Sequence, residues 1–201
     1  MDTKRHRLGL YNICCTKRTG FSREDGEDMD QRDYVREAYR SILRSDFAEA
    51  IVCFEAAIAA SPADAEVRYR CSITYARSGM LDKALVHAQA AMKLDGSKPE
   101  YSLHLQHLQA MMHVQEAKRL IEDEDNKTRN PYHPITLLKE AITLDPLYGD
   151  AYVWLAIAHS RVNEHMQAMA ALKEVISLHP DDSGLRELMV DLQKSIQSYM
   201  Q

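Results

Sequence analysis

From Ala65 to Ser97 the small and apolar side chains recur in steps of three and four. They fall at Cys71, Ser72 and Tyr75, and again at Ala84, Leu85, Ala88, Ala91 and Met92. Such steps place each set on one stripe of a helix, so the segment predicts two short amphipathic helices. Between them lies Ser78-Gly79, and Gly79 is a helix breaker placed where the chain must reverse. Ala84 and Ala91 carry only a methyl group, which lets two helix backbones approach closely. One hairpin of this length buries too little apolar surface to offset the entropy of ordering it, so it needs neighbours of its own kind.

The pattern recurs at a constant step. Moving back 34 residues takes Ala84 to Ala50, Ala88 to Phe54, Ala91 to Ala57 and Gly96 to Pro62. Moving forward 50 takes Ala91 to Ala141 and Gly96 to Pro146, and a further 34 takes these to Val175 and Pro180. The first helices agree, because Ser72 corresponds to Ala38 before it and Ala156 after it, and Tyr75 to His159. Four hairpins therefore share one frame, over 31–62, 65–96, 99–146 and 149–180, and the third carries 16 extra residues.

The period of 34, the small residue of the first helix (Ala38, Ser72, Ala156), the Ala of the second (Ala50, Ala84, Ala168), the later small residue (Ala57, Ala91, Ala141) and the closing Pro (Pro62, Pro146, Pro180) resemble the tetratricopeptide repeat (TPR). The resemblance covers residues 31–180. It implies an all-α, right-handed superhelical solenoid of four TPR-like hairpins, followed by a capping helix over 181–201. Two places depart from the family pattern: the first-helix Trp appears only displaced, as Trp154, and Pro134 stands where the third hairpin should carry Ala.

Outside the regular hairpins the pattern changes. Residues 1–30 are basic in their first half and acidic in their second, which predicts a disordered charged tail. The sharper alternatives for this tail are a poor organelle-targeting peptide, which Asp2 and the acidic half weaken, and a lipid-anchored arm using Cys14 and Cys15 beside basic residues. Pro99 opens a helix expected to run to about Glu124, and its extension carries a stripe of its own in Val114, Ala117, Leu120 and Ile121. Tyr132, neighbouring hairpins or another molecule must cover that stripe, which makes 113–124 a candidate surface for homo-oligomer formation. Trp154 is expected to pack into a core, and Leu185, Leu188, Leu192 and Ile196 to form the inner face of the capping helix.

Composition narrows the function. Lys and Arg total 25 against 30 Asp and Glu, a net charge of −5 that argues against a general nucleic-acid binder. Four Cys in 201 residues make no disulfide framework, so a reducing, cytoplasmic location is expected, with Cys53 and Cys71 as small core residues. No apolar run reaches the length of a transmembrane helix. His104 and His107 share a helix face and His113 follows, yet the pattern identifies no third ligand, so packed or solvated histidines are expected and no metal or other cofactor. Phosphate-binding glycine loops, CxxC, HExxH and nucleophile-elbow motifs are missing, and an enzyme is not expected.

Function is then expected from surfaces. In the repeat family the first helices line a concave groove that holds a segment of a partner protein. By frame, the resemblance assigns to that groove Arg36, Tyr39 and Leu43, then Tyr69, Arg70, Ile73 and Arg77, then His104, and finally Val153, Ile157 and Arg161. Guanidinium groups beside Tyr39 and Tyr69 suit a peptide with carboxylates and apolar anchors. The two-carboxylate clamp by which some family members hold a heat-shock protein C-terminus is absent, since its places hold Val35, Tyr39 and Arg70. The expectation is a non-catalytic protein-binding adaptor; the alternatives are a secretion-type chaperone for an exported partner and a self-assembling structural module.

Overall fold

Helix boundaries are set by devices that recur with the repeat. In the computed structural model, which describes residues 29–123 and 130–199, Asp30 and Asp64 each cap a first helix. Their carboxylates accept from the backbone N–H three residues on, at 2.8 Å from Asp33 and 3.1 Å from Val67. Asp46 caps a second helix in the same way, accepting from the Glu49 N–H at 3.0 Å. Among the described residues the elements are nine α-helices: α1 Gln31–Leu43, α2 Phe47–Ala60, α3 Ala65–Arg77, α4 Leu81–Leu94, α5 Pro99–Glu122, α6 His133–Leu144, α7 Gly149–Arg161, α8 His165–Leu178 and α9 Ser183–Tyr199. None is long and apolar enough to cross a membrane.

The turns repeat atom for atom. At the end of α1 the Asp46 N–H donates to the Ser41 carbonyl and Ser45 to Ile42; after α3, Met80 donates to Tyr75 and Gly79 to Ala76; after α7, Glu164 donates to His159 and Asn163 to Ser160. This is the same pair of bonds three times, closing each first helix through one residue at positive φ. Those residues are Ser45, Gly79 and Asn163. The second helices also end alike: the N–H groups of Ser61, Asp95, Asp145 and His179 donate to the carbonyls of Ala57, Ala91, Ala141 and Val175. Ala57, Ala91, Ala141 and Val175 are all buried, so the positions equated by sequence step are equivalent in place.

The described residues form two compact units that divide within α5, between Leu105 and Gln106. In the first, α1 packs on α2, α3 on α4, and α2 on α3. Ala38, Ala50, Ser72 and Ala84 are buried where these helices meet, because any larger side chain would hold the backbones apart. In the second unit α6 packs on α7, α7 on α8, and α8 on α9. The stripe of the α5 extension is covered here: Val114, Ala117 and Ile121 belong to one core with Ile135, Leu138 and Leu155, while Tyr132 stays half exposed. Trp154 packs against the same core, with Lys118 Nζ 5.2 Å from its ring centroid.

One expectation needs adjustment. The inner face of α9 runs through Leu185, which is buried, and Met189, which packs on the core one turn later; Leu188 is exposed. A step of four keeps the contact on one ridge of α9, and a step of three turns away from α8. The side chains of Leu192 and Ile196, the tail with Cys14 and Cys15, and residues 124–129 lie outside the described residues.

Candidate functional site

The first helices of unit one present a connected surface. Tyr39 on α1 is 37% exposed, and its ring meets the buried Phe54 edge-on at 5.9 Å, so a core residue fixes its orientation. The Arg70 guanidinium on α3 lies 5.5 Å from the Tyr39 ring centroid, and its Nε donates to Glu66 Oε1 at 2.6 Å. Glu66 Oε2 accepts from the Tyr101 hydroxyl at 2.9 Å and from Lys98 Nζ at 3.2 Å. Tyr101 is buried at the start of α5, with its ring 4.8 Å from Tyr69, and Tyr69 in turn meets His104 edge-on at 5.3 Å. Ser72 donates its single hydroxyl proton to the Ala84 carbonyl at 2.7 Å, so the His104 Nε2 at 2.9 Å carries the proton of that pair and donates to Ser72 Oγ.

The charges of this surface are organised by Glu66. Burial opposes its ionisation, but hydrogen bonds from Tyr101, Lys98 and Arg70 prevail and hold its carboxyl below the usual range. Burial pushes the Tyr39 phenol up, against the pull of Arg70. Two cations, Arg70 and Lys98, thus meet on one carboxylate, which holds both in place. Further along, Arg36 pairs with Asp33 on its own helix, while Leu43 is 86% exposed and Arg77 is exposed at the end of α3. Ile73 is half-buried. Tyr39, Tyr69, Arg70 and His104 are therefore drawn into one network, and Arg36, Leu43, Ile73 and Arg77 flank it without joining it.

In unit two, Val153 and Ile157 are half-buried against the core of that unit. Arg161 donates to the Ile121 carbonyl at the end of α5, beside a cavity of about 370 Å³ lined by Leu120, Ile121, Pro134, Ala158 and Val162. Its guanidinium thus serves one of the carbonyls a helix end leaves without an internal partner. The three histidines of α5 go separate ways: His104 to Ser72, His107 to Asp145 at 2.5 Å, and His113 toward Glu140 at 3.9 Å.

Sequence reasoning missed two sets of residues. Glu66, Lys98 and Tyr101 escaped because their meeting crosses from α3 to α5, although Glu66 and Arg70 stand at helix-pair spacing. The second set is Glu55, Cys71 and His87, one from each of α2, α3 and α4, whose ligand atoms all lie within 4.8 Å of one another. They are spaced 16 residues apart twice, a regularity that reflects the helix-to-helix step of the hairpins.

A family model for the tetratricopeptide repeat matches residues 42–111. No curated protein matches the chain. Among solved structures it is similar to MamA from Desulfovibrio magneticus RS-1, with a TM-score of 0.52 and 15% identity over 83% of this chain and 85% of that one. It is also similar to MamA of AMB-1, with a TM-score of 0.50 and 14% identity over 83% of this chain and 82% of that one. Identities this low carry the fold and nothing finer.

Proposed function

Because this chain is a tetratricopeptide-repeat protein, a fold that points to protein–protein interaction, we propose that it is a non-catalytic adaptor holding a segment of a partner against the first helices of its hairpins. The observation that carries this reading is the junction of Tyr39, Arg70 and Glu66: an exposed aromatic face topped by a guanidinium whose position is set from both sides. A pre-set guanidinium loses less freedom on binding than a solvated one, and it takes a carboxylate in a planar fork. Tyr39, Tyr69 and Arg70 form the centre of the contact, with His104 at its edge. Arg36, Leu43, Ile73 and Arg77 form its rim. Val153, Ile157 and Arg161 would supply a separate, more apolar contact in unit two. The partner segment is acidic with aromatic or aliphatic anchors, and a reducing, cytoplasmic setting for the adaptor is supported by its few cysteines. Self-association through 113–124 is the weaker reading, since Val114, Ala117 and Ile121 are already covered by their own unit.

Selection of random linear peptides on the full chain tests the proposal. Enriched peptides should carry Asp or Glu next to an apolar anchor and bind with micromolar affinity by fluorescence anisotropy. Arg70→Glu should weaken them at least tenfold, about 1.4 kcal/mol, while Lys173→Glu on α8 leaves them unchanged. Equal binding by the parent and Arg70→Glu would remove the junction from the contact.

A further inference from the structure

Glu55, Cys71 and His87 meet inside unit one, away from the Tyr39–Arg70 surface, and no step of partner binding uses them. Cys71 is fully buried, with its sulfur free and unbridged. His87 Nε2 lies 3.0 Å from Glu55 Oε1, and its Nδ1 is buried with no hydrogen-bond partner among the described residues. The Tyr75 hydroxyl donates to the same Glu55 oxygen at 2.9 Å, and the Tyr75 ring stacks on His87 at 5.3 Å with planes 19° apart. Tyr75 thus holds both the carboxylate and the imidazole from outside, as hydrogen-bonding and packing neighbours orient the ligands of a metal. Among the described residues the Cys71 sulfur is in no disulfide and His87 Nδ1 has no hydrogen-bond partner, so both are available to a ligand.

We propose that Glu55, Cys71 and His87 form a binding site for a thiophilic divalent cation of the zinc class, with water as the fourth ligand. One thiolate, one imidazole nitrogen and one carboxylate oxygen are ligand types that zinc takes in tetrahedral sites. With metal–ligand distances of about 2.3 Å to sulfur and about 2.0–2.1 Å to nitrogen and oxygen, the ligand atoms would stand about 3.3–3.6 Å apart. The observed span of 4.8 Å closes to this by small rotations of the half-buried Glu55 and His87. Charge also closes: one thiolate and one carboxylate neutralise a divalent ion, so the buried site carries no net charge. Burial and the neighbouring Glu55 push the Cys71 thiol well up, so the thiol is protonated near neutrality, and each ion that binds releases one proton from sulfur to solvent. The three ligands come from α2, α3 and α4, so the ion would clamp the first hairpin to the second and stabilise unit one by mass action.

The test uses the full chain, reduced, with Cys14→Ser and Cys15→Ser to silence the tail thiols. Cobalt(II) serves as the spectroscopic probe, and zinc(II) as the ion for thermal melts. Expected are one cobalt per chain with a thiolate-to-cobalt charge-transfer band in the near ultraviolet, displacement by zinc, and a melting temperature raised by zinc. Cys71→Ser should abolish the band and Cys53→Ser should leave it. Glu55→Gln and His87→Gln, checked for folding by circular dichroism, should each weaken cobalt at least tenfold and keep the proposal testable if Cys71→Ser does not fold. A chain that shows no band, a band that survives Cys71→Ser or is lost in Cys53→Ser, or affinity untouched in both Glu55→Gln and His87→Gln overturns the site.

Discussion

Ser45, Gly79 and Asn163 occupy one step of the repeat, at φ of 61°, 73° and 61°. The left-handed region is free to glycine, tolerable for asparagine and costly for serine, because a Cβ crowds the neighbouring carbonyl. Gly79 announces itself as a breaker in the sequence, whereas Ser45 does not. Its conformation is imposed by the two backbone bonds that close α1 onto α2. Ser45→Gly should therefore raise stability by about 0.5–1 kcal/mol in urea denaturation, less whatever glycine adds to the freedom of the unfolded chain. Asn163→Gly should gain less, since asparagine already tolerates this region.

At the scale of helices, the contact of α2 with α3 and α4 is polar at its heart. The hydrogen bond from His87, helped by Tyr75 and opposed by burial, holds the Glu55 carboxyl below the usual range. A carboxylate whose folded pKa is depressed adds stability that is present above its unfolded pKa and is lost as the pH falls through the folded one. Glu55→Gln cannot ionise. In metal-free buffer the parent should melt higher than Glu55→Gln near neutral pH, and the gap should close on acidification through the depressed pKa of Glu55. A gap independent of pH would mean that Glu55 acts by packing alone. The crossings between helices obey a simpler rule, set by methyl groups, and there the order of helices and their caps follows from local chemistry.

Across the whole molecule the same rule operates twice. Ala84 in unit one and Ala168 in unit two hold equivalent places, both fully buried. Replacing either with Leu should cost about 1–3 kcal/mol by overpacking. The double variant should sum the two costs within about 0.5 kcal/mol, because the residues belong to different compact units and repeat stability is a sum of local and nearest-neighbour terms. Equilibrium denaturation of the four chains of this cycle measures it. Legibility follows the same division. The helices, the repeat step and the equivalence of Ala57, Ala91, Ala141 and Val175 could be read directly, because periodic burial leaves periodic residues. The network of Tyr39, Arg70, Glu66, Lys98 and Tyr101 could be read only in part: Tyr39 and Arg70 by frame, the other three not at all. Nothing local in a Glu, a Lys or a Tyr tells which side chain from another hairpin it will meet.

What the chain determined by itself is its helical hairpins, their caps and their pitch, since these depend on interactions within a few residues and on small side chains repeated at a fixed step. What tertiary structure alone decided is the company each side chain keeps. Arg70 was set between Tyr39 and Glu66, Arg161 turned to the end of α5, and Glu55, Cys71 and His87 were gathered from three helices. Those encounters depend on how helices distant in sequence are stacked and rotated, a matter of packing that no local pattern records.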